Sequence, residues 1–191
     1  MRIGLLGGSF NPIHRGHLMM ALAAQRHLGL QRVLLIPANV PPHKLLEGNA
    51  TAEDRAEMVR LAIQGHPGLE LSRVDLDRPP PSYTVDTVRL LQKQTPGRNQ
   101  EWFFLVGSNT ARELSSWREI AKLRKSIRFV AVPCPSDPLV AYPLPGVIRL
   151  PVTTAPVSSS LIRQRVGQGL PVRQWLPDGV VRYIEERGLY R

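Results

Sequence analysis

The chain has a single cysteine, Cys134, so no disulfide can close within it. A reducing, cytoplasmic setting is the expectation. It has no run of about 18 apolar residues, the length a membrane-spanning helix needs. Its apolar start is soon broken by glycine and polar residues and makes a poor signal peptide. Acidic residues are few: 15 Asp and Glu stand against 25 Lys and Arg, for a formal net charge of +10. The basic residues are scattered, densest from Arg118 to Arg128, and no consecutive run reads as a nucleic-acid tail. Most of this charge reads as solubilising; attraction of nucleotides and phosphates is the functional alternative. Neither G-x-G-x-x-G nor G-x-x-x-x-G-K-[ST] occurs, which disfavours a dinucleotide-dehydrogenase fingerprint and a P-loop. No internal repeat, no acidic cage for a metal and no evident Ser/His/Asp or Cys/His set is found.

What is present is alternation. At 191 residues the chain reads as one domain, 1–191, with room for a real core. Apolar runs at Ile3–Leu6, Arg32–Pro37, Trp102–Val106 and Ile127–Val132 predict buried strands, and Leu69–Val74 alternates as a strand. Helical spacing covers Leu18–Leu28 and a stretch from the N-cap Thr51 to about Gln64. It returns from Ser82–Thr84 to about Gln94, then as one or two helices over 109–123. The last two predicted helices are Ser158–Val166 and about Asp178–Arg187, with Gly188 as the stop. Residues 133–151 hold six prolines and read as loop around a short strand, Val147–Leu150. This order predicts an α/β fold: a parallel sheet covered by helices on both faces, with a small C-terminal helical segment.

Residues 7–18 read Gly-Gly-Ser-Phe-Asn-Pro-Ile-His-Arg-Gly-His-Leu, between the first strand and the first helix. Strand–helix junctions are where open α/β sheets bind ligands, and a helix N-terminus attracts anions. Gly7, Gly8 and Gly16 lack side chains that would keep a phosphate from the backbone. His14 and His17, three apart, can face one spot. A helical zinc pattern needs His at i and i+4 with Glu between, so a phosphate chain under two histidines is the better reading. Further on, Ser158-Ser159-Ser160 opens a helix with Arg163 one turn in. By itself that is an ordinary cap with a solvated arginine; paired with the first motif it supplies a second phosphate-binding wall. Trp117 taken alone reads as core packing, and Pro41-Pro42-His43-Lys44 reads equally as an exposed loop or an anion contact.

The stretch GGSFNPIHRGHL resembles the signature of the H-x-G-H nucleotidyltransferase superfamily, which implies a Rossmann-like, doubly wound sheet. Within it the chain is most similar to the bacterial nicotinate-nucleotide adenylyltransferases, and the likeness continues through Pro41–Lys44, Arg78 with Ser82–Thr87, Gly107–Trp117, Val157–Arg163 and Val181–Tyr190. The resemblance implies adenylyl transfer from ATP to nicotinate mononucleotide, releasing pyrophosphate, by direct in-line attack without a covalent intermediate. It implies catalytic roles for His14 and His17, with His17 on the α-phosphate. ATP would be held by Gly7, Gly8, Ser9, Phe10, His14, Gly16, His17, Gly107, Asn109, Ser159, Ser160 and Arg163. His43 and Lys44 would meet the acceptor's phosphate, Trp117 would stack on its pyridine ring, and backbone N–H groups of Tyr83 and Thr84 would hold its carboxylate. Mg²⁺ would accompany ATP, bridging phosphate oxygens largely through water. A homo-oligomer is compatible with this reading; nucleic-acid and membrane partners are not expected. Four positions depart from the family pattern: Ser9 for Thr, Asn11 for Asp, Asn109 for Asp and Pro80 for Gly. The last two bear on acceptor recognition more than on the transfer. The alternatives are a pantetheine-phosphate or other small-molecule nucleotidyltransferase and, outside enzymes, a basic nucleic-acid-binding module.

Overall fold

A computed structural model describes residues 1–41, 45–94, 99–134, 145–152 and 154–191. Among the described residues six strands form one sheet: β1 (Arg2–Gly8), β2 (Arg32–Pro37), β3 (Leu69–Leu71), β4 (Glu101–Gly107), β5 (Arg128–Val132) and β6 (Val147–Arg149). Their order is β3-β2-β1-β4-β5-β6, and every neighbouring pair is parallel. The central strands are apolar without interruption, Val33-Leu34-Leu35-Ile36 and Trp102-Phe103-Phe104-Leu105-Val106, because a parallel sheet is covered on both faces.

Alternate residues of each strand divide between two apolar layers. On one face Leu6, Leu35, Phe103, Leu105 and Val130 pack against α1 (Arg15–Leu28), α2 (Ala52–Ala62), α6 (Ser159–Gly167) and α7 (Asp178–Arg187). On the other, Leu5, Ile36, Phe104, Val106 and Phe129 pack against α3 (Thr84–Gln94), α4 (Ser108–Arg112) and α5 (Ile120–Ser126). The chain leaves β1 for β2 and β3 on one side and returns to β4 on the other. The loops after β1 and β4 therefore run to opposite faces and open a crevice between them. This is the helix-covered parallel sheet that the alternation predicts, in the doubly wound arrangement that the resemblance implies. Among the described residues no helix is long and apolar enough to cross a membrane.

Several boundaries differ from expectation. α1 begins at Arg15, three residues before its apolar stretch, because His14 already has the extended backbone of an N-cap (φ −143°). β3 stops at Leu71. Beyond it the chain turns, with Leu76 and Asp77 N–H both donating to the Arg73 carbonyl. Residues 109–123 divide into α4, a short 3-10 turn at Leu114–Ser116 and α5, entered through Glu119 in the left-handed region (φ 55°). Elsewhere the local signals hold. Thr51 Oγ1 accepts from Asp54 N–H (3.1 Å) while the Asp54 carboxylate accepts from Thr51 N–H (2.9 Å), the reciprocal cap of α2. Gly188 ends α7 with φ 60°.

Candidate active site

The crevice at the C-terminal ends of β1 and β4 has a volume of about 740 Å³. Gly7, Gly8, Ser9, His14, Gly16, His17, Ser159 and Ser160 line it on the α1/α6 side; Tyr83, Thr84, Gly107, Asn109 and Trp117 line it on the α3/α4 side. Thirteen of the seventeen residues singled out from the sequence thus share one cavity. Phe10 and Arg163 do not line it, and His43 and Lys44 lie outside the described residues.

At the mouth of α1 the two imidazoles are stacked, with ring centroids 3.7 Å apart and planes at 27°. His14 main-chain N–H donates to His17 Nδ1 (3.2 Å), so the proton of a neutral His17 ring is carried on Nε2. His14 is only 6% exposed, and burial pushes its pKa down to about 4, so its ring is neutral at pH 7. Its Nδ1 is buried with no hydrogen-bond partner among the described residues. Gly16 is closely packed here: a Cβ would stand 3.0 Å from the His14 ring and 3.2 Å from Val157, so both side chains would have to give. Phe10, expected to touch ATP, lies beneath the site instead. It is buried in the left-handed region (φ 46°), with its ring edge-on to His17 at 5.1 Å. It packs under the imidazole of His17.

This loop is tied down from three directions. Arg55, on α2, is 1% exposed and donates to the carbonyls of Ser9 (2.8 Å), Ala38 (2.6 Å) and Asn39 (2.9 Å), joining the ends of β1 and β2. Burial pulls its pKa below the ordinary value. Tyr190 Oη donates to Asn11 Oδ1 (2.7 Å), while Asn11 Nδ2 donates to the Glu47 carbonyl (2.8 Å). An aspartate at position 11 could not make that second bond, which gives the departure at this position a physical reason. Ser159 Oγ donates to the Pro12 carbonyl (2.9 Å). Arg163, expected as a phosphate grip, has its guanidinium donating to the Asn11 carbonyl (2.9 Å) and paired with Glu47, beside a separate hollow formed with Gly48, Asn49 and Tyr190.

The opposite wall is built differently. Buried Asp75 accepts from Arg78 Nε (2.9 Å) and Thr87 Oγ1 (2.7 Å), and Arg78 also reaches the Tyr83 carbonyl (3.3 Å). Ser82 Oγ accepts from Asn39 N–H (3.2 Å), holding this wall to the loop after β2. Tyr83 N–H donates to the Pro81 carbonyl (3.2 Å), so it is not open to a ligand carboxylate as expected. Trp117 stands edge-on to Phe104 (5.5 Å) and Phe129 (6.0 Å) and is half-buried, so it both packs on the core and lines the crevice. Asp75, Arg118 and Cys134 also line the crevice and were not marked by the sequence reading. The three-residue spacing of Asp75 and Arg78, and the place of Arg118 next to Trp117, were the available signals. Arg55, inside a helical repeat, carried none.

Among the described residues no cluster of three or more His, Cys, Asp and Glu could hold a metal ion. Asp75 is the one carboxylate on the crevice wall among them and is already bound by Arg78 and Thr87.

A family model for cytidylyltransferase-like proteins matches residues 5–165. The chain is 47% identical over 191 residues, the whole of both proteins, to a Thermus thermophilus protein named "Probable nicotinate-nucleotide adenylyltransferase". It is 43% identical to a Gloeobacter violaceus protein of the same name, over 99% of this chain and 96% of that one. In fold it is similar to Plasmodium falciparum nicotinic acid mononucleotide adenylyltransferase complexed with NaAD. That structure has a TM-score of 0.80 at 18% identity, covering 99% of this chain and 97% of the other. With the strand–loop–helix site, the order 3-2-1-4-5-6 and full-length identity of this degree, the chain belongs to the nicotinate-nucleotide adenylyltransferase family of cytidylyltransferase-like proteins.

Proposed function

We propose that the crevice transfers the adenylyl group of ATP to nicotinate mononucleotide, giving deamido-NAD and pyrophosphate, as a cytoplasmic step of NAD biosynthesis without nucleic-acid or membrane partners. The observation that carries this reading is the full-length identity to named relatives, which spans both walls of the crevice.

The acceptor's phosphate is already an anion, so an oxygen of it attacks the α-phosphorus of ATP without a general base. One P–O bond forms, the bond to the β-phosphate bridging oxygen breaks, and pyrophosphate leaves with that electron pair. The chain's part is alignment and charge stabilisation. His17, with its proton on Nε2, donates to the α-phosphoryl oxygens as charge builds there. Neutral His14, stacked beside it and lining the crevice, assists at the neighbouring phosphates. Ser160 and the start of α6 face the β- and γ-phosphates, with Arg163 anchoring the loop from behind. The donor set of the wall suits an ion carried in by the triphosphate rather than one caged by side chains. Mg²⁺ bound that way would neutralise phosphate charge.

The test is pyrophosphate release from ATP with nicotinate mononucleotide, nicotinamide mononucleotide and phosphopantetheine as acceptors. Turnover highest with nicotinate mononucleotide is the expected result. Release with none of them overturns the enzyme reading, and preference for phosphopantetheine overturns the acceptor.

A further inference from the structure

Arg118 has no part in the transfer just described, yet it is the one arginine or lysine lining the crevice among the described residues. Its guanidinium carbon lies 4.6 Å from the centre of the Tyr83 ring. That contact holds the plane over the N-terminal end of α3, next to Thr84 and Trp117, and limits the side chain's freedom. Other arginines near the crevice are engaged by carboxylates: Arg78 by Asp75 and Arg163 by Glu47. Arg118 forms no ion pair or hydrogen bond with a described residue.

Its position separates it from the phosphates. His14, His17, Ser159 and Ser160 belong to α1 and α6, on one face of the sheet. Tyr83 and Trp117 pack into the other layer. The guanidinium therefore serves whatever occupies the crevice far from the triphosphate. Tyr83 N–H, a main-chain donor at that end, is bound to Pro81. An anionic group arriving there meets a cation whose acidic neighbour, Glu119, feels its charge but is paired directly with Lys122.

We propose that Arg118 reads the ring carboxylate of the acceptor and so sets its preference for the acid over the amide. The inference rests on the adenylyl-transfer reading above. A planar guanidinium fork matches a carboxylate with two parallel bonds. A carboxamide offers one oxygen and turns an NH₂ donor toward a group that can only donate. Discrimination thus comes from lost charge pairing and from a donor–donor mismatch.

The test compares kcat/KM for nicotinate and nicotinamide mononucleotides in the wild type, Arg118→Gln and Arg118→Lys, with the KM for ATP measured alongside. For Arg118→Gln the acid-to-amide ratio is expected to fall about 10- to 100-fold, the span of a charged hydrogen-bond pair. Arg118→Lys should keep part of that ratio, and the KM for ATP should not change. An unchanged ratio, equal losses with both acceptors, or a raised KM for ATP would overturn the assignment. Wild-type protein that releases pyrophosphate with neither acceptor would overturn the function reading itself, an outcome separate from any change in the ratio.

Discussion

The two walls of the crevice are held by opposite means. The α1/α6 wall is cross-tied by polar groups drawn from distant parts of the chain. Arg55 binds three carbonyls across two loops, and Tyr190 and Arg163 both end on Asn11. The α3/α4 wall rests on aromatic edges, Trp117 against Phe104 and Phe129, with an exposed arginine over Tyr83. The first construction fixes atoms and tolerates little change, because removing one partner leaves buried groups unsatisfied. The second supplies flat surface and charge from short loops, which can vary without unpicking the core. The transfer step sits on the rigid wall and acceptor choice on the adaptable one.

Four experiments press on that contrast, beginning with the largest effect. Arg55→Met strips three carbonyls of their donor and should cost about 3 to 5 kcal/mol in urea unfolding, with loss of turnover. A cost below about 1 kcal/mol would show that the loops hold themselves. His17→Ala should lower kcat by about 10²- to 10³-fold, the size seen when one charge-stabilising donor is lost, while leaving the unfolding midpoint nearly unchanged. Near-normal turnover would remove His17 from the chemistry.

Acidification should also act on the rigid wall. His14 falls from an ordinary 6.5 to about 4 in the folded chain. The unfolded chain therefore binds the proton more readily between those values. The stabilisation is fully present above pH 6.5 and is lost as pH falls toward 4, by up to about 3 kcal/mol. In His14→Gln this part of the pH dependence should flatten; an unaltered profile would place the acid sensitivity elsewhere. Smallest, Trp117→Leu should raise the KM for the acceptor about tenfold, on the scale of lost ring stacking, with the KM for ATP steady. A shift in the KM for ATP instead would mean that the two walls are not independent.

Legibility in the sequence follows the same division. Local patterns carried α2, α3 and α7 closely, because caps and apolar spacing are written within a few residues, as at Thr51–Asp54 and Gly188. The glycine and histidine run of 7–18 also read correctly as a strand–helix mouth facing a cavity. What stayed hidden depends on partners far along the chain. The bonds of Arg163 to Asn11 and Glu47 join residues more than half the chain apart. Phe10 looks like a lining residue until its left-handed backbone turns the ring under His17. The early end of β3 goes with the turn at Arg73, whose carbonyl accepts from the Leu76 and Asp77 N–H groups, which extended spacing alone does not announce.

The bond from Tyr190 to Asn11 spans 179 positions, nearly the whole chain. Contacts of such separation carry the loop-closure entropy of everything between them, so they form late. The segment with the two histidines thus draws one of its anchors from a turn far along the chain. Completion of the site is thereby coupled to completion of the fold: an incompletely folded chain carries the motif without the geometry to use it.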